Sequence, residues 1–189
     1  MRRLLRWLAC ALAGLLGCCA LGILAFDLMV VRPHAASVER ALAAAAPSER
    51  QPPAALRHML HRAYGDRVKS IVARNLVFAS TGEDERMSRL HRMFTEAGVA
   101  LLLPLHLSEA QLEGALLSSA YMGSGIRGFA AASRHYLGVP LERVDSAQAA
   151  RLLAIEWAPS FLESPERLER RVQWLLSAPP PSDRPASGA

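Results

Sequence analysis

Beyond position 19 the chain has no cysteine: Cys10, Cys18 and Cys19 are the whole complement of its 189 residues. Disulfides, thiolate catalysis and zinc–thiolate sites are therefore excluded from everything downstream. Aromatic residues are scarce at 6%, and no segment alternates β-branched and aromatic residues at strand spacing. That excludes a sandwich or barrel, which needs such strands at regular intervals. Lysine is scarce too, so the net charge of +5 comes from arginine. The arginines are dispersed rather than clustered, which argues against a nucleic-acid surface, and no internal repeat is visible. What remains is rich in alanine and leucine, residues that lose little side-chain entropy in a helix. A chain of this length holds one domain with a real core.

Long apolar runs are absent except at the start. Arg2, Arg3 and Arg6 precede an uncharged stretch from Trp7 to Phe26, closed by Asp27, with Leu28–Val31 as a short apolar coda. Twenty helical residues rise about 30 Å, the thickness of a bilayer's hydrocarbon core. The arginines predict a cytoplasmic N-terminus and export of the rest. A cleaved signal peptide, or lipidation at Cys18 after Leu15-Leu16-Gly17, are the alternatives; the length of the run favours an uncleaved anchor. Gly14, Gly17 and Gly22 do not form a four-residue packing repeat.

The chain then divides into an anchor (1–31), a stalk (32–51), a folded domain (52–177) and a disordered tail (178–189) of proline and small polar residues. Within the stalk, Ser37 caps a short alanine-rich helix that stops near Pro47, and Pro52-Pro53 enforces an extended step. In the domain, Leu56, Met59, Leu60 and Ala63, then Val68, Ile71, Val72 and Leu76, fall at helical spacing, with Gly65-Asp66 dividing two helices. Glu83-Asp84-Glu85 suit the start of another helix, which Pro104 ends. Ser108 and Gln111 have the capping-box spacing. Met122–Gly128 reads as a loop, Phe129–Leu137 as a helix stopped by Gly138, and Asp145 or Ser146 as the next cap, with that helix reaching Trp157. Ser164-Pro165 opens a last helix that buries Leu168, Val172, Leu175 and Leu176. The expected fold is mainly α.

The segment Tyr121–Val139, YMGSGIRGFAAASRHYLGV, resembles the signature of the peptidoglycan glycosyltransferases of glycosyltransferase family 51, roughly F-G-x-G-x-Y-G-x-x-A-A-x-x-Y-F-G-K. Gly123, Gly125, Gly128, Ala131, Ala132, Tyr136 and Gly138 match; Arg127 stands for the tyrosine and Val139 for the lysine. Other pieces follow in family order across Gly65–Leu176. Arg74-Asn75-Leu76 is similar to the K-N-L closing the "GGSTITQQ" motif, and Arg92–Ala97 to R-K-x-x-E-A. Leu107–Leu112 is similar to the opening of the "ILE-x-YLN" helix, Ala147–Ala154 to "EAALLA", and Pro159–Arg171 to the P…P…R ending. The resemblance implies a lysozyme-like helical domain behind one transmembrane helix, on the outer face of the bacterial inner membrane. It implies polymerisation of lipid II into glycan strands, with one glutamate as general base and a second glutamate, basic residues and often a divalent metal at the donor pyrophosphate. Carried over by position, Glu96 is the surviving family glutamate, and Arg74, Arg92, Gly123 and Gly125 are the substrate-binding candidates.

Much of that chemistry is missing. The family's base glutamate sits in an E-D-x-x-F-x-x-H-x-G motif before "STITQQ", and Pro52–Tyr64 contain no acidic residue. Loss of a general base costs about 10²–10⁴-fold. Asp66–Ile71 replaces S-T-I-T-Q-Q, Met93 replaces a lysine, and Gly114 and Ser118 replace the glutamate and asparagine of "ILE-x-YLN". Bland readings stand beside the functional ones. Arg92 and Glu96 have the spacing of a helix-surface ion pair, and His58 and His61 lack a third ligand for a metal site. His135 is a structural position, and the glycines serve either a phosphate or a tight turn. The expectation is a membrane-anchored, catalytically impaired family member that binds lipid II, a glycan strand or a cell-wall synthase. The alternatives are an active divergent transferase using Asp66, Glu83 or Asp84, and another lysozyme-like glycan-cleaving enzyme, which would need a second carboxylate beside Glu96.

Overall fold

The computed structural model describes residues 2–81 and 88–177. It is mainly α, with no strand among the described residues and one isolated bridge, Tyr121 to Arg127. The expected helix start at Glu83–Glu85 and the tail 178–189 lie outside the described residues.

Helix α1 (Arg2–Phe26) does not stop at Asp27. It passes through a π turn (Asp27–Val31) into α2 (Arg32–Ala44). Pro33 explains the turn: in a regular helix its ring would meet the carbonyl of Met29, and widening the preceding turn relieves that clash. The Arg32 amide accordingly donates to the Asp27 carbonyl, five residues back. The Asp27 carboxylate anchors the turn, accepting from Arg32 Nε at 3.2 Å and meeting His106 Nε2 at 2.6 Å.

The segment expected as a stalk is part of the core. Val31, Ala35, Val38 and Leu42 are buried at helical spacing, as are Ser48 and Glu49 beyond them. Ser37 is not a cap; it lies inside α2 and donates to the His34 carbonyl. The folded body therefore begins at the π turn rather than at Pro52. Gly114, on the helix that starts at Glu109, makes the close approach: a Cβ there would stand 2.9 Å from Leu42 Cδ2 and 3.1 Å from the Glu49 carbonyl.

The rest follows the sequence pattern closely. A one-turn α3 (Pro47–Arg50) precedes α4 (Ala54–Tyr64), which buries Leu56, Met59, Leu60 and Tyr64. Gly65, at φ +50°, opens a 3-10 turn into α5 (Val68–Thr81). Helix α6 (Arg89–Leu102) is capped by Ser88 and ends in a 3-10 turn holding Pro104. Helix α7 (Glu109–Ser119) carries the full Ser108/Gln111 capping box. The Met122–Gly128 loop leads to a four-residue α8 (Phe129–Ala132) and a π turn that Gly138 stops in the left-handed conformation. Asp145 caps α9 (Ser146–Trp157), and α10 (Pro165–Ser177) closes the fold with Leu168, Val172 and Leu175 inside. Helix α9 packs on α4 and α10, α7 on α2, α3 and α5, and α6 on α5. One continuous apolar core joins them.

Candidate functional site

The glycine-rich loop is held from three sides. Ile126 donates to the Gly123 carbonyl, Met122 to the Ile126 carbonyl and Gly128 to the Ala120 carbonyl, each at 2.9 Å. The Tyr136 hydroxyl donates to the Met122 carbonyl at 2.9 Å. Gly123 is needed for packing, since a Cβ there would meet Pro159 at 3.1 Å and Leu162 at 3.2 Å. Gly125 has open space around it.

The start of α8, where the loop would present amides to a phosphate, already has an anion. Glu49 Oε1 accepts the Ala130 amide at 2.9 Å, and its Oε2 accepts the Ala46 amide at 3.3 Å. A Cβ on Gly128 would stand 2.6 Å from Glu49 Oε1, so the glycine makes room for the carboxylate. Sequence reasoning passed over Glu49. The available signal was an acidic residue at the third helical position, with Pro47 at the first, where a carboxylate reaches back to cap a helix start.

Glu96 and Arg92 lie one turn apart on α6, both half-buried. The ion pair their spacing allows is not made, and Arg92 Nε is enclosed with no hydrogen-bond partner among the described residues. Arg74 is on α5, exposed, and its field reaches a different pair. There Tyr64 donates to the Glu156 carboxylate. Burial pushes the Glu156 carboxyl above its ordinary range, against the opposing pull of the Tyr64 hydrogen bond and of Arg74. Burial and the neighbouring carboxylate likewise raise the Tyr64 phenol. Beside them the Arg171 guanidinium lies between the Trp157 and Trp174 rings, 4.4 and 4.3 Å from their centroids.

Glu113 on α7 is buried, with Arg57 Nε at 3.8 Å. Burial raises its carboxyl and Arg57 opposes that rise. It stands one residue before Gly114, the position that the sequence resemblance sets against a glutamate.

A cavity of about 680 Å³ opens between the end of α1, the π turn, α5 and α6. Phe26, Met29, Val30, Val77 and Phe94 form its apolar wall, and His34, Ser80, His91 and Thr95 its polar edge. Burial holds the His34 imidazole below its ordinary value, which favours the neutral ring. None of Arg74, Arg92, Glu96, Gly123 or Gly125 lines this cavity.

A family model described as Transglycosylase matches residues 68–179. The chain belongs to the transglycosylase family. The match takes in α5 through α10, and with them Arg74, Arg92, Glu96 and the glycine loop. No curated protein and no solved structure matches the chain. Membership in the transglycosylase family points to the chemistry of peptidoglycan glycan strands, and one helix of this member is long and apolar enough to cross a membrane. The divalent metal implied by the resemblance does not fit the side chains of the described residues. Among the described residues no three His, Cys, Asp or Glu converge, and the nearest charged neighbour of Glu96 along its helix is the cation Arg92.

Proposed function

We propose that this transglycosylase-family protein is held in the bacterial inner membrane by α1 and binds lipid II or a nascent glycan strand on the outer face without polymerising it. The observation that carries the reading is Glu49. It is buried against the glycine loop, with both oxygens engaged by backbone amides, where a transferring site would need a carboxylate free to take a proton. Glu113 and Glu156 are engaged as well, by Arg57 and Tyr64. Along α6 the charged neighbour one turn from Glu96 is the cation Arg92, whereas a glycosidase needs a paired carboxylate. Arg92 and exposed Arg74 supply cations for a pyrophosphate.

The test is retention of lipid II by the full-length protein in nanodiscs. Binding that weakens at least fivefold in Arg74→Ala or Arg92→Ala, with unchanged melting, supports the reading. Binding indifferent to both substitutions overturns the site assignment.

A further inference from the structure

Helix α6 carries an apolar stripe on its outer side. Leu90, Phe94 and Leu101 are 64%, 70% and 76% exposed, at spacings of four and seven residues, and Leu105 beyond them is 75% exposed. A contiguous apolar strip of this kind marks a surface that something covers. Phe94 belongs both to the stripe and to the wall of the 680 Å³ cavity. The opposite wall is the exit turn of the membrane-length helix: Phe26, its last residue, and Met29, which is 79% exposed. The two walls meet at Gly98, where a Cβ would stand 2.7 Å from the Phe26 ring. Close contact between α1 and α6 therefore fixes the cavity at the level where α1 leaves the apolar layer.

We infer that this cavity is a binding site for one hydrocarbon chain of a membrane lipid, entering from the leaflet around α1 along the exposed stripe of α6. The inference rests on reading α1 as a membrane anchor. Depth supports it: from Phe26 to His34 the helix rises roughly 12 Å, so the cavity runs from the hydrocarbon edge through the headgroup layer. Its chemistry changes in the same direction, from Phe26, Met29 and Val30 below to His34 above. The volume and the apolar lining with a few polar groups are those of ligand pockets in general. His34 stands at the cavity's polar edge, where burial favours the neutral ring and so presents no charge to a hydrocarbon chain.

The experiment uses the full chain in phosphatidylethanolamine/phosphatidylglycerol nanodiscs doped with a phospholipid bearing a diazirine in mid-acyl chain, with crosslinks mapped by mass spectrometry. Crosslinks are expected at cavity residues between Val77 and Gly98 as well as along α1. Ser80→Trp and Thr95→Trp, both at the cavity's polar edge, fill it and are expected to cut the cavity crosslinks at least fivefold while those on α1 persist. Arg151→Trp, exposed on α9 and neither in the cavity nor on the stripe, leaves them unchanged. Competition by added polyprenyl phosphate distinguishes a prenyl from an acyl occupant, and either confirms a hydrocarbon chain. Crosslinks on α1 with none in the cavity, or cavity crosslinks indifferent to both tryptophans, overturn the inference and leave the anchor standing. Absence of crosslinks on α1 overturns the anchor reading along with it.

Discussion

The Glu49 carboxylate and the Ala130 amide, 81 positions apart in the chain, meet at 2.9 Å and close the start of α8 from inside the protein. Glu49→Ala would leave the half-buried amides of Ala46 and Ala130 without their acceptors. Each such loss costs about 1–3 kcal/mol, so the variant is expected to lose about 2–6 kcal/mol in denaturant unfolding. Glu49→Gln keeps one acceptor and should lose about half as much.

Gly128→Ala should be more damaging than Gly125→Ala. Both glycines have positive φ, +82° and +76°, which costs an L residue about 1–2 kcal/mol. Only at Gly128 does the new Cβ also meet the Glu49 carboxylate and the Ser118 carbonyl. Thermal melts of the two variants measure the difference; equal losses would mean that Glu49 is not packed there.

Two carboxylates give opposite pH signatures. The Asp27 carboxyl is held below its ordinary range chiefly by the hydrogen bond to His106, with Arg32 helping. Its contribution is present above the unfolded value of 3.8 and is lost as pH falls through the lower folded value. Asp27→Asn should therefore be less stable than the parent at pH 7, with the gap closing in strong acid. Glu156 is raised by burial, so the folded state binds its proton more tightly than the unfolded chain does. That contribution is fully present below the unfolded value of 4.5 and declines as pH rises through the higher folded value. Glu156→Gln removes the decline, and its melting temperature should gain on the parent's between pH 4 and pH 8.

Arg171→Lys should weaken the seat of α10 on α9. The Arg171 guanidinium carbon stands 4.4 and 4.3 Å from the Trp157 and Trp174 ring centroids, and a planar guanidinium can stack on aromatic rings where a compact ammonium cannot. Two exposed cation–π contacts contribute about 1–2 kcal/mol together, measurable in denaturant unfolding with tryptophan fluorescence reporting the change around both rings.

Local signals made much of this fold legible. The Ser108/Gln111 box, the Asp145 cap, the Gly65 break and the Gly138 stop each depend on residues within a few positions, and each stands where the pattern placed it. A helix was legible in the stalk, but its start at Arg32 and its burial were not: the buried stripe includes an alanine, and Pro33 is accommodated by a π turn. The Arg171 sandwich and the Glu49 cap were hidden for a different reason. Their partners come from other helices, and nothing within a helical repeat announces a contact that tertiary packing creates. The decayed motifs around Arg74, Arg92 and Glu96 were legible as positions, but the missing ion pair between Arg92 and Glu96 needed coordinates.

The most direct test of binding without transfer is lipid II polymerisation by the full-length protein, with Glu96→Gln beside it and an active family member as positive control. The account predicts no glycan chains from either form, while both retain lipid II. Chains made by the parent protein and abolished by Glu96→Gln would contradict it, and would make Glu96 a catalytic residue.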